Sequence, residues 1–163
     1  MIEGFLVLSD AASTDVATGK INVLGAGWSV TGPAVSMAAV TGFLRIPWEE
    51  VEQKICFVVR LQDEEGQPVR PFAEEDSTLS FSGEFAPNID QAEPMARRVP
   101  LNVSFAIPIP PLPLTAGHVY EWILAANDVE VASVSFVVRA EAPTTGARGE
   151  KTAEACRSSS IVE

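Results

Sequence analysis

Several short stretches of this chain place apolar side chains at every second position. The cleanest is Val99, Leu101, Val103, Phe105 and Ile107, set against Pro100, Asn102, Ser104 and Ala106. A period of two puts one set of side chains on one face of an extended strand and the other set on the opposite face. Leu79, Phe81, Gly83 and Phe85 repeat the pattern against Ser80, Ser82 and Glu84. Within residues 36–46, Val40, Leu44 and Ile46 share a face, and Gly42 between them predicts a bulge or a close backbone approach. Residues 3–9, 55–62, 119–126 and 129–138 are further apolar runs of strand length, with Tyr120, Trp122 and Leu124 on one side of the third and Val134, Phe136 and Val138 facing in from the last. Asn127-Asp128 between the last two runs predicts a two-residue hairpin turn.

The remaining strand is Gly19–Trp28, and the fold is expected to be arranged around it. Gly25 and Gly27 flank Ala26, so the backbone can bend there without Cβ strain, and Trp28 then supplies a large apolar side chain. Asp10–Asp15 reads as a polar turn. Pro47-Trp48-Glu49-Glu50-Val51 predicts one helical turn near residues 47–52, with Trp48 folded back onto the sheet edge. Asp63-Glu64-Glu65-Gly66 is a turn, 67–77 and 87–98 are loops, and the prolines of 108–113 keep that segment extended. Past Arg139 the periodicity ends, so 1–139 reads as the domain and 140–163 as a flexible or partner-ordered tail. About eight short strands without a convincing helix predict an all-β, antiparallel two-sheet sandwich, with a closed barrel as the alternative.

Composition adds limits. A length of 163 residues suits one domain with a proper core, and 47% hydrophobic residues make it globular. The formal charge of −11, from 22 acidic and 11 basic residues, opposes contact with nucleic-acid backbones and anionic lipid. No window reaches the roughly 18 apolar residues of a membrane-spanning helix. Cys56 in a strand and Cys156 in the tail do not form a disulfide framework and fit a reducing compartment. No secretory leader is evident at Met1–Phe5, so the expected location is the cytoplasm, or a virion if the chain is phage-encoded.

Candidate chemistry is sparse. Gly25-Ala26-Gly27 lacks the third glycine of a dinucleotide loop, because position 30 is valine, and Thr31-Gly32-Pro33 stands where a helix would follow. His118 is the single histidine, and no G-x-S-x-G accompanies it, so an exposed, inert imidazole is expected. One histidine and two distant cysteines do not make a common zinc site. Asp63, Glu64 and Glu65, with Glu74, Glu75 and Asp76, flank one loop; they are candidate partner contacts, and calcium is the sharper alternative to solvated loop charge. Asp10, Asp15 and Glu121 are the carboxylates available to a glycosidase pair. Pro110-Pro-Leu-Pro113 fits P-x-x-P but also serves as a stiff connection. Trp28, Trp48 and Trp122 could stack on a sugar, yet each lies in an apolar pattern that favours packing. The expectation is no catalytic residue, cofactor or metal, with Gly25, Gly27, Trp28, Trp48, Tyr120 and Trp122 as structural residues.

Two resemblances sharpen the fold. Leu8-Ser-Asp10-Ala, the segment Gly19–Trp28, Ile46-Pro47-Trp48, Pro111-Leu-Pro-Leu114 and Tyr120-Glu121-Trp122 occur in that order. Together, over about residues 1–138, they resemble a family of small uncharacterised proteins of actinobacteria and their phages, which implies a β-sandwich and brings no established activity to transfer. Leu114-Thr-Ala-Gly117-His-Val-Tyr120 is similar to the tyrosine corner of fibronectin type III and immunoglobulin domains. That resemblance implies an immunoglobulin-like sandwich in which the Tyr120 hydroxyl meets a backbone group a few residues upstream. The functional expectation is a non-enzymatic module for protein binding or self-assembly, acting through loops and tail. Its rival is a small-molecule binder or enzyme with a pocket between the sheets or under the 63–78 loop.

Overall fold

The computed structural model describes residues 1–32, 35–51, 54–71, 78–86 and 94–140. The fold is all-β, with strands β1 (Glu3–Ser9), β2 (Ala11–Thr14), β3 (Ile21–Leu24), β4 (Val30–Thr31), β5 (Ala38–Ile46), β6 (Ile55–Asp63), β7 (Ser80–Phe85), β8 (Leu101–Ile109), β9 (Val119–Ala126) and β10 (Val129–Val138). Three-stranded β1-β5-β8 packs against five-stranded β4-β10-β9-β6-β7. A third, two-stranded ribbon pairs β2 with β3. The pairings are antiparallel except that of β4, two residues long, which lies parallel to the end of β10. Short 3-10 turns occupy Trp48–Glu50, where the helical turn is expected, and Ala96–Arg98.

The count exceeds the eight strands expected from periodicity. Asp10–Asp15 is not simply a turn, because Ala11–Thr14 pairs residue for residue with Leu24–Ile21. Small residues of modest β-propensity hide such a strand: backbone pairing, not side-chain alternation, makes it.

The centre also lies elsewhere than expected. Gly19–Trp28 is a peripheral ribbon strand and bend: Asn22 to Gly27 is exposed, and only Trp28 reaches the core. Gly25 and Gly27 do adopt φ of +65° and +90°, which glycine alone tolerates easily. That bend takes the chain out of the sheet instead of through its middle. The middle strand of the larger sheet is β9, and Tyr120, Trp122, Ile123, Leu124, Ala125 and Ala126 are all buried there. At its end, Asn127 (φ 48°) and Asp128 (φ 64°) both adopt the left-handed conformation of a tight hairpin turn into β10.

Between the sheets, Leu6, Leu8, Val40, Leu44 and Ile46 meet Ile55, Val59, Leu61, Trp122, Leu124 and Phe136. Fully burying each such side chain contributes about 1.5–3 kcal/mol. Gly42 marks a close approach, but by a ring and not by backbone, and its pairing continues without a bulge. Phe105 lies directly over it across the strand pair; a Cβ at 42 would sit 2.1 Å from Phe105 Cζ. In the opposite sheet Phe57 covers Gly83 in the same way. The two rings stack on each other, centroids 4.3 Å apart and 15° from parallel. One aromatic pair thus joins the two sheets between two glycines.

Candidate functional site: one end of the sandwich

The ends of β1, β6 and β10 and the start of β9 come together at one end of the sandwich. Tyr120 pairs with Phe136 on one side and with Asp63 on the other. Asp63 closes β6 by accepting the Glu65 and Gln67 N–H groups through Oδ1, at 3.0 and 2.8 Å. This local carboxylate-to-backbone bonding holds the turn and leaves Glu64 and Glu65 at its exposed tip. Glu64 reaches His118 across 54 residues of sequence, Oε1 to Nδ1 at 3.0 Å. A carboxylate accepts only, so the imidazole donates from Nδ1. His118 is exposed, as expected, but it is engaged in an ion-pair geometry that no sequence motif signals.

The turn before β9 is strapped from both sides. The Thr115 N–H donates to the Tyr120 hydroxyl at 3.0 Å, the upstream backbone contact expected of a tyrosine corner. Gly117 N–H donates to the Val138 carbonyl at 2.7 Å, and Val138 N–H to the His118 carbonyl at 3.0 Å. The chain therefore leaves β10 beside this turn. Between the two turns lies a cleft of about 370 Å³, lined by Asp63, Glu64, Glu65, Arg70, His118 and Tyr120. Its three carboxylates outnumber its basic groups, so it favours a cationic or hydrogen-bond-donating ligand.

The glycine bend sits at the same end. Gly27 N–H donates to the Leu8 carbonyl at 2.8 Å and Asp10 N–H to the Leu24 carbonyl at 3.0 Å, which ties the ribbon's base to β1. Trp28 meets Phe136 edge-on at 5.9 Å, and Phe136 lies 5.8 Å from Tyr120. An aromatic ladder thus runs from the bend to the cleft wall. Among the described residues, the buried Trp28 indole N–H has no hydrogen-bond partner. A second cleft of about 460 Å³ opens over Asp10, Gly25, Trp28, Thr31 and Met37.

The other predicted residues scatter. Trp122 is interior, 6.1 Å from the Phe81 ring. Trp48 is at the opposite end, its Nε1–H shared between the Val99 carbonyl at 2.6 Å and the Ala96 carbonyl at 3.2 Å, with the Arg97 guanidinium 5.9 Å from its ring centroid. Glu74, Glu75, Asp76 and the segment 141–163 lie outside the described residues, so the second acidic triplet and the tail have no placement. Asp10, Asp15 and Glu121 are dispersed, Asp10 lining the second cleft. Asp15 is in the ribbon turn, and Glu121 lies outside the larger sheet between Gln62 and Ser135. Pro110 and Pro113 are exposed while Ile109 and Leu112 anchor the segment. Among the described residues no group of three His, Cys, Asp or Glu side chains is placed to hold a metal, and no helix is long and apolar enough to cross a membrane.

Compared with known proteins, the chain belongs to a family of unknown function, DUF6941, which matches residues 4–139. No curated protein and no solved structure matches it.

Proposed function

We propose that this chain is a non-enzymatic binding or structural module whose contact surface is the end carrying the acidic turn, together with the segment 140–163. The supporting observation is the strapping of three segments at one place. The Asp63–Gly66 turn, the Thr115–His118 turn and the end of β10 are joined by the Glu64–His118 pair and by the Gly117–Val138 and Val138–His118 backbone bonds. Ala140 lies beside the Gly117 turn, whose next residue, His118, pairs with Glu64, which supports loop and tail acting on one partner. Surface loops on a rigid sandwich are the usual place for contacts. A bacterial or phage assembly component, put together in the cytoplasm, is the concrete version of this reading.

The test is a pull-down with the whole chain, with a chain ending at Arg139, and with Glu64→Lys/Glu65→Lys. The expected result is one captured partner, lost from both variants and released by salt, because exposed charges are screened within about 8–10 Å at physiological ionic strength. Capture that survives both changes would sink the proposal. The alternative, a small-molecule binder, is favoured by the cleft volume of about 370 Å³, within the usual range for ligand pockets. It would show as a thermal shift with small cationic compounds that Glu64→Lys abolishes.

A further inference from the structure

Charge is unevenly distributed along this acidic chain. Between Lys20 and Arg45, and again between Arg98 and Glu121, the sequence contains no Asp, Glu, Lys or Arg. The fold places most of these two runs, strands β3, β5 and β8, on one side, while β4 and the start of β9 join the larger sheet. Strands β2, β3 and β8 carry no such residue, and β1 and β5 carry one each, Glu3 and Arg45. Those two lie opposite each other and pair at 3.8 Å, so the three-stranded sheet is neutral. The larger sheet carries Asp63, Glu84, Glu121 and Glu130 against Arg60.

The neutral side is also apolar and open. Phe5 and Phe43 point away from the core and stack on each other with centroids 4.5 Å apart, and Phe5 is 55% exposed. They line a groove of about 420 Å³ with Glu3, Arg45 and Asn102. On the ribbon side, Leu24 and Met37 are each 71% exposed. Exposed apolar surface of this kind marks contact sites.

We propose that this charge-poor face, the sheet β1-β5-β8 with ribbon strands β2 and β3, is where two copies of the chain meet. The charge map selects the occupant. A second copy also carries −11, so it is repelled wherever carboxylates lie and least repelled here. A basic partner would be drawn to the larger sheet or the acidic turn instead. A two-fold axis through the aromatic pair makes the face self-complementary, with Glu3 of one copy set toward Arg45 of the other. This contact uses a different surface from the acidic end, so each proposal fails separately: loss of the tail tests the first, and substitution of Phe5 tests the second.

The experiment is sedimentation equilibrium of the full chain from micromolar to millimolar concentration, at low and high salt. A dimer is expected, tightening as salt screens the repulsion between like-charged copies. Phe5→Glu should weaken it by about 30-fold or more, the loss typical of a central anchor. Leu24→Glu should weaken it too. Ser82→Glu adds the same charge on the outside of the larger sheet and should leave the dimer within about threefold of wild type. All three positions are exposed or half-buried, and unchanged melting verifies each fold. A chain monomeric throughout, a dimer indifferent to both Phe5→Glu and Leu24→Glu, or one weakened equally by Ser82→Glu would overturn the proposal. So would a dimer dissolved by salt. A monomer that loses capture of a different protein on Phe5→Glu would assign the face to that protein and reject the self-contact.

Discussion

The two sheets of this sandwich bury similar inner faces and treat their outer faces in opposite ways. The five-stranded sheet is carpeted with polar side chains. Glu121 accepts from Gln62 at 3.0 Å and from Ser135 at 3.2 Å, Arg60 faces Glu130 at 3.8 Å, and Lys54 pairs with Glu84. Ile123 and Ala125 are buried on that outer face. The three-stranded sheet has backbone laid over it instead. Ribbon strand β2 runs beside β5 and β8, and the outward residues Ser9, Ala39 and Thr41 are buried at that end. Beyond the ribbon, Phe5 is exposed and Phe43 half-buried. A charged carpet keeps copies apart and needs no further layer, whereas a second layer hides only the area it spans and leaves an uncharged margin.

The sharpest way to break this comparison is to exchange inside for outside on neighbouring strands. Gly42→Ala places a Cβ 2.1 Å from Phe105 Cζ, and the ring cannot retreat because Phe57 is stacked on it. The expected loss is about 2–3 kcal/mol in urea unfolding, the cost of overpacking. Phe5→Ala, on the exposed margin of the same sheet, should cost about 1 kcal/mol or less. In a Phe105→Ala background the Gly42→Ala cost should fall close to zero, because the clash has lost its partner. Equal losses for Gly42→Ala and Phe5→Ala would erase the distinction between the two faces.

A smaller effect tests the seam at the acidic end. Tyr120→Phe keeps the buried ring and removes the oxygen that accepts the Thr115 N–H. Stability should fall by about 1 kcal/mol, the usual net worth of such a bond. The denaturant slope should not change, since the same surface is buried. Hydrogen exchange at Thr115 should quicken while exchange in β9 keeps pace with global unfolding. Unchanged protection at Thr115 would mean that the corner is held by the Gly117–Val138 bond alone.

How much of this was legible follows from what each signal reports. Alternation reports one buried sheet face, so β7, β8 and β10 were readable from Phe81, Phe105 and Phe136. Asn127-Asp128 and Tyr120 were readable because their chemistry is local. Ala11–Thr14 gives no signal, since its small residues carry no apolar alternation even though β2 lies beside β5 and β8. Gly25 and Gly27 signal a bend, and their positive φ bears that out, but such a bend is as good an exit from a sheet as a centre for one. Phe5 and Phe43 did carry a hint: each falls out of phase with Leu6 and Leu44, its core-facing neighbours. At the candidate site, Asp63 was legible as a turn residue. The Glu64–His118 pair was not, because only the β6–β9 register brings those turns together.

The smallest effect asks whether the covering layer is separable from the sandwich beneath it. Asp15 sits in the ribbon turn, where Thr18 Oγ1–H donates to Oδ2 at 2.8 Å and Ala17 N–H donates to Oδ1 at 2.9 Å. The Thr18 hydroxyl first, then the Ala17 amide, hold this carboxyl below the ordinary aspartate value of 3.8. A depressed folded value means the turn is stabilised above the ordinary value and loses that support as pH falls through the depressed one. The Ala17 amide resonance should therefore titrate below 3.8, and Asp15→Asn should abolish the titration. The melting temperature should follow the rest of the molecule through this range and be indifferent to Asp15→Asn, because the turn touches water on all sides. A drop in global melting specific to Asp15→Asn would show that the ribbon is a working part of the three-stranded sheet, and the two outer faces would then differ less than their side chains suggest.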